Sequence, residues 1–182
     1  MSPRRSLLLP VLGLAALLLS GLALSACGSN SNDKSVKEGQ SVELGGLRYN
    51  VQFSRFLNIH DTEDAYYLTG QPDPTAAEQY LGVFLQVKNV GNAAATLPTS
   101  FTVVDTSHHR FDSLASTSDF AFPGGTTLDP DTVAPDPDSP AGSGPIQGAL
   151  VLFRVPDTVT ENRPLTLTIP GPGGPAEVEL DI

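Results

Sequence analysis

Three histidines, His60, His108 and His109, are the side chains best suited to hold a ligand. With Asp105 and Asp112 beside the second pair, they offer the nitrogen and oxygen donors that divalent transition metals take. Their spacing argues against a shared ion. Neighbouring residues on a strand point to opposite faces, so His108 and His109 converge only if the turn is irregular. An exposed turn is therefore the expectation, with His60, His108 and His109 as the alternative, metal- or small-ligand-binding set. Asp129, Asp131, Asp136 and Asp138 carry hard oxygen donors, but prolines separate them, and the glycine and closing glutamate of a helix–loop–helix calcium site are missing. A solvated acidic loop is expected there. Tyr66 and Tyr67, in the polar stretch 58–74, are amphipathic and lose little rotamer freedom, which suits them to anchoring a partner or to packing over the domain rim.

Covalent and phosphoryl chemistry find no support. There is no Gly-x-Ser-x-Gly elbow, and Gly142-Ser143-Gly144 lacks its spacing. Residues 171–174 place a proline where a phosphate loop needs amide donors, and no lysine follows. Nothing fixes Glu63 and Asp64 relative to another carboxylate at the separation glycoside hydrolysis requires. We expect no catalytic residues and no cofactor. The lone cysteine, Cys27, rules out a disulfide framework.

Cys27 closes a distinctive leader. Arg4 and Arg5 precede an apolar run over 7–24, which ends in Leu24-Ser25-Ala26-Cys27. Basic, then apolar, then small is the secretory order. The run reaches the lower length limit of a membrane span, about 18 residues. Pro10, Gly13 and Gly21 interrupt it, however, and no basic stop-transfer cluster follows. Leu24-Ser25-Ala26-Cys27 resembles the bacterial lipoprotein processing box. That resemblance implies removal of residues 1–26 as a signal peptide and attachment of diacylglyceryl to the Cys27 sulfur. Two or more acyl chains, at about 0.8 kcal/mol per buried CH₂, hold firmly where one does not. The expected location is the outer face of the cytoplasmic membrane, with the membrane as a partner through the lipid. Residues 27–37 are polar and unpatterned, and read as the lipidated N-terminus and a flexible tether.

The elements that must position these residues lie in 38–182. The net charge of −10 becomes more negative once Arg4 and Arg5 are removed, which disfavours nucleic acid as a partner. Helical periodicity is nearly absent, and only 74–80 suggests a short helical turn, opened by Pro74. The rest alternates at period two between turn signals. Leu47, Tyr49, Val51 and Phe53 share one face, with a bulge or the end of pairing expected at 54–57. Leu81, Val83, Leu85 and Val87 oppose Tyr80, Gly82, Phe84, Gln86 and Lys88. Residues 149–153 are apolar on both faces, as a central strand requires. Residues 114–145 hold six prolines, five aspartates and no basic residue, and read as an irregular insertion pinned by Phe120 and Phe122. Seven to nine short strands without strand–helix alternation predict an all-β, antiparallel two-sheet sandwich.

Residues 80–91, Tyr-Leu-Gly-Val-Phe-Leu-Gln-Val-Lys-Asn-Val-Gly, are similar to the central strand of an uncharacterised immunoglobulin-like family of bacterial surface lipoproteins, sometimes likened to mycobacterial immunoprotective antigens. Residues 100–105 and 151–156 match two further segments, and the insertion at 114–145 departs from the pattern. The resemblance implies a secreted immunoglobulin-like sandwich with no catalytic residues to carry over. The expected role is non-catalytic binding of a protein or cell-envelope partner.

Overall fold

In the computed structural model, the described residues are 34–182. The expected signal peptide at 1–26 and the expected lipidation at Cys27 lie outside them. Twelve strands are present among the described residues, against the seven to nine expected. They are β1 (Ser35–Lys37), β2 (Ser41–Leu44), β3 (Leu47–Leu57), β4 (Glu78–Asn89), β5 (Ala95–Thr96), β6 (Thr102–Val104), β7 (Arg110–Leu114), β8 (Thr127–Leu128), β9 (Val133–Ala134), β10 (Ala149–Pro156), β11 (Thr166–Ile169) and β12 (Ala176–Glu179). The surplus comes from strands of two or three residues, too short to show an alternation. Two short helices, α1 (Thr62–Tyr67) and α2 (Pro140–Ser143), interrupt the series.

One large sheet runs in the order β1-β12-β11-β6-β7-β10-β4-β3-β2, with β9 added on β4, and β5 pairs with β8 separately. It bends at β7, which pairs with β6 through Arg110, Phe111 and Asp112 and with β10 through Ser113 and Leu114. The bend folds the sheet into two facing layers, a β-sandwich that approaches a closed barrel. The strand pairs are antiparallel except that of β1, which lies parallel to β12 with Val36 opposite Val178. Residues 35–37 belong to the body, because their backbone groups find ladder partners along the free edge of β12.

The sequence pattern explains which residues meet inside. Leu81, Val83, Leu85 and Val87 of β4 join Val151, Phe153 and Val155 of β10 in the main core between the layers, all at most 4% exposed. The opposite faces of the same strands carry Tyr80, Phe84, Leu150 and Leu152, which form a second cluster with Leu57, Tyr67 and Leu68. Both faces are therefore covered, as the unbroken apolar run of β10 requires.

The β3 phase break falls earlier than expected. Val51 opposes Leu85 and Phe53 opposes Phe84, so Gln52 is the extra residue. The slip exchanges the faces of everything beyond it. Phe53 becomes 44% exposed, Ser54 turns inward and Leu57 joins the outer cluster. Residues 74–80 are not helical: 76–77 form a turn and β4 begins at Glu78. The helix forms upstream, where the Asp61 carboxylate accepts from the amides of Glu63 (2.9 Å) and Asp64 (3.3 Å). The insertion is more regular than expected. It contains β8, β9 and α2, and the half-buried Phe122 packs edge-on against Phe101 with centroids 5.1 Å apart.

Candidate functional site

The chain enters the body at a definable end. Because β1 is parallel to β12, Lys34 sits beside the β11–β12 turn, and its ammonium donates to the carbonyls of Gly173 (2.6 Å) and Gly174 (3.3 Å). The β2–β3 turn shares this end. Gly45 there has φ +62°, and a Cβ on it would come within 2.8 Å of Pro172. Only glycine satisfies both the left-handed backbone and the close approach. Beside these turns the two layers part in an open cleft of about 580 Å³, with Leu44, Leu47 and Tyr49 at its floor and Ala94, Pro98 and Pro172 on its rim. Burial pushes the Tyr49 hydroxyl up to about 12, so it stays neutral.

β3 starts at this end and runs 11 residues away before α1 follows. At about 3.3 Å per residue that is about 35 Å. The segment 58–74 at the far end is fixed from beneath. Asp64 is buried, and its carboxylate accepts from the Asn58 amide (2.9 Å) and from the Arg55 guanidinium. That guanidinium also lies 5.9 Å from the centre of the Tyr67 ring. Tyr67 meets Phe84 and Phe120 edge-on, with centroids 5.1 and 4.8 Å apart. Burial, followed by the Glu63 charge, holds its hydroxyl above the usual range; Arg55 pulls the other way and Asp64 adds to the rise. The Tyr66 carbonyl accepts from the Ser118 hydroxyl at 2.8 Å, which ties α1 to the insertion. At the edge of the same cluster, the Arg154 guanidinium lies 5.5 Å over the Tyr80 ring and donates to the Tyr80 hydroxyl, which donates to the Pro72 carbonyl at 2.7 Å.

The two tyrosines therefore separate. Tyr67, one of the expected partner-binding residues, is 2% exposed and belongs to the outer cluster, whereas Tyr66 stands 64% exposed. A helix turns adjacent residues by about 100°, so one ring faces the sheet and the next faces solvent. The start signal of α1 is legible in the sequence as Asp61 ahead of Glu63 and Asp64. The pairing of Arg55 with Asp64 has no local signal, since it depends on where the bulge turns β3.

The histidines do not form the alternative ligand set. Among the described residues no three His, Cys, Asp or Glu side chains gather as a metal would require. His60 lies exposed beside a shallow cavity of about 400 Å³ that also takes in Ile59, Asp73 and Glu78. His109 is committed to Asp105. One Asp105 oxygen accepts from the amides of Ser107 and His109, both at 2.9 Å, and the other lies 2.9 Å from His109 Nδ1. Burial alone would raise the Asp105 pKa, but these bonds from His109 and Ser107 hold it below the usual carboxylate value. His108 takes the left-handed conformation, φ +66°, that closes this turn. The acidic insertion residues also build turns: Asp136 accepts from the Asp138 amide at 2.9 Å, and Asp131 lies 3.6 Å from the Lys88 ammonium. No described helix is long and apolar enough to cross a membrane.

No family model matches the sequence, and no curated relative matches it. Solved structures do resemble the fold. An uncharacterised β-sandwich protein from Clostridium difficile 630 aligns with TM-score 0.51 at 13% identity, covering 84% of this chain and 97% of that one. The yjhA protein of Bacillus subtilis aligns with TM-score 0.48 at 13% identity, covering 80% and 98%. A Bacillus subtilis protein provisionally described as a lipoprotein, ycdA, aligns with TM-score 0.49 at 11% identity, covering 80% of this chain but 38% of that one. The first of these supports the β-sandwich.

Proposed function

We propose that the chain is an extracytoplasmic lipoprotein, held on the outer face of the cytoplasmic membrane by a lipid on Cys27. Its immunoglobulin-like sandwich is a non-catalytic binding domain that meets a protein or envelope partner at the end away from the anchor. The observation that carries this reading is the separation of the two ends. The chain enters beside Gly173, while Tyr66 stands exposed on a short helix at the far end of β3. A tether that enters at one end leaves the other free to reach outward. Tyr66 has the character of a binding anchor, because its neighbours Asp64 and Tyr67 hold α1 to the sheet and little further order is lost on docking.

Fractionation and crosslinking test it together. Cys27→Ala should move the protein out of the membrane fraction. Tyr66→Ala should leave its melting temperature nearly unchanged, as surface substitutions do, yet abolish partner crosslinks in intact cells. Retention of Cys27→Ala on the membrane, or unchanged crosslinks in Tyr66→Ala, would refute the corresponding half.

A further inference from the structure

We infer that the bulged stretch of β3, on the outer face of the sheet, is a binding site for a neutral glycan, with one pyranose ring stacked on Phe53. The assignment depends neither on the lipid anchor nor on Tyr66.

The bulge builds the platform. Gln52 is the extra residue, so it and Phe53 leave β3 on the same side. Phe53 stands opposite Phe84 of the outer cluster, yet its ring is exposed. Gln52, Phe53, Pro145, Ile146 and Gln147 line an open hollow of about 440 Å³. Ile146 packs against the outer cluster, which fixes that wall.

The amides beside the ring are set in advance. The Asn50 side-chain nitrogen donates to the Gly39 carbonyl and to the Ser41 hydroxyl, both at 3.1 Å. A carbonyl only accepts, so the Asn50 side-chain oxygen is left to accept, and the Gln52 side-chain nitrogen donates to it. Gln52 is thereby oriented with its own oxygen open to a ligand. Gln86, opposite Asn50 on β4, and Gln147 are exposed, and their side chains hydrogen-bond to nothing among the described residues.

These groups select the ligand class. No residue lining the hollow carries a charge, so an ionic ligand finds no counter-charge there. A peptide strand finds no free edge beside Phe53. One edge of β3 is paired to β4, and on the other the Gly39 amide holds the Val51 carbonyl at 2.9 Å and the Glu38 carboxylate holds the Ser54 amide at 3.0 Å. A standard protein interface buries about 800 Å² on each partner around an apolar centre, and one ring beside a half-buried isoleucine is far smaller than that. A pyranose needs only one ring. Its C–H face covers the aromatic face, and its hydroxyls, each both donor and acceptor, match side-chain amides that are also both. β-1,4-linked units with equatorial substituents present that face flat.

The full-length chain, expressed in a bacterial host and purified in a detergent without sugar groups, is titrated by calorimetry with chitohexaose and with cellohexaose. Saturable binding is expected. Preference for chitohexaose assigns an acetamido-bearing glycan, as in a cell wall, and preference for cellohexaose a plain glucan; either supports the site. Phe53→Ala should weaken binding about tenfold, as loss of an aromatic anchor does, while Phe53→Trp keeps it. Gln147→Ala, at an exposed loop position, should weaken binding about fivefold, the value of one net hydrogen bond, and carries the test if Phe53→Ala melts early. Tyr66→Ala should bind as wild type. Absence of binding at millimolar glycan overturns the inference, as does wild-type affinity in both Phe53→Ala and Gln147→Ala. Protein crosslinks in intact cells that depend on Phe53, in a chain that binds neither glycan, overturn it in favour of a protein ligand and leave the Tyr66 reading standing.

Discussion

The main core and the outer cluster use opposite faces of the same two strands, β4 and β10, but they are closed by different means. Between the layers, Phe153 and Val83 are covered by further strands, each fixed by ladder hydrogen bonds along its length. On the outer face, Phe84 and Leu150 are covered by α1, held by ring edges, one Arg55–Asp64 pair and the Ser118 bond, and by the insertion around Phe120, which is tied to Leu150 by two backbone bonds, from the Leu150 amide to the Phe120 carbonyl (2.7 Å) and from the Phe122 amide to the Leu150 carbonyl (2.8 Å). Opening the first means breaking a sheet. Opening the second breaks side-chain contacts and the short backbone bridge at Leu150. The comparison teaches that burial alone does not set local stability: the number of independent backbone ties on the cover does.

The largest effect should come from the main core. Phe153→Ala should cost about 3–5 kcal/mol, read as a fall in the denaturant midpoint, with faster hydrogen exchange throughout the sheet. Phe120→Ala, on the outer cover, should cost about 1–2 kcal/mol, with faster exchange confined to 62–68 and 115–121. Equal losses with matching exchange patterns would abolish the distinction.

Asp64→Ala sharpens the comparison within the cover. It removes the acceptor of a guanidinium whose buried Nε already lacks a partner. We expect a loss of about 2 kcal/mol, below the range for fully buried pairs because the Arg55 side chain is 30% exposed. The α1 amides should exchange faster while β11 and β12 stay protected. Protection of α1 equal to wild type would show that the ion pair does not hold the cover.

The smallest effect is at the β6–β7 turn. Hydrogen bonds from His109 and Ser107 depress the Asp105 pKa despite its burial. The contribution of Asp105 is therefore present above the unfolded carboxylate value, about 3.9, and is lost as pH falls through the lower folded value. Asp105→Asn should cost about 1 kcal/mol at neutral pH and flatten the decline in stability below about pH 4. An identical acid limb in wild type and variant would refute this.

Much of this architecture is legible in local sequence. The double-sided run at 149–153 specifies a strand buried on both faces, and the alternation over 80–88 specifies a second strand and its two faces, because side-chain direction alternates whatever the partner strand. The site residues are less legible. Tyr66 and Tyr67 look alike in the sequence, and the Asp61 cap that starts α1 turns one inward and leaves the other outside. His108 and His109 look like ligands until Asp105, four residues before His109, claims the latter.

The sequence by itself determined the alternating faces, the acidic character and the basic-then-apolar order of the residues before Cys27, because each is written in neighbouring residues. Only the tertiary structure decided that β1 closes against β12, that the bulge at Gln52 exchanges the faces of β3, and that an uncharged cleft opens where the chain enters. Each of these joins residues far apart in sequence, and such pairings follow from which backbone edges and apolar faces remain to be covered once the local elements have formed.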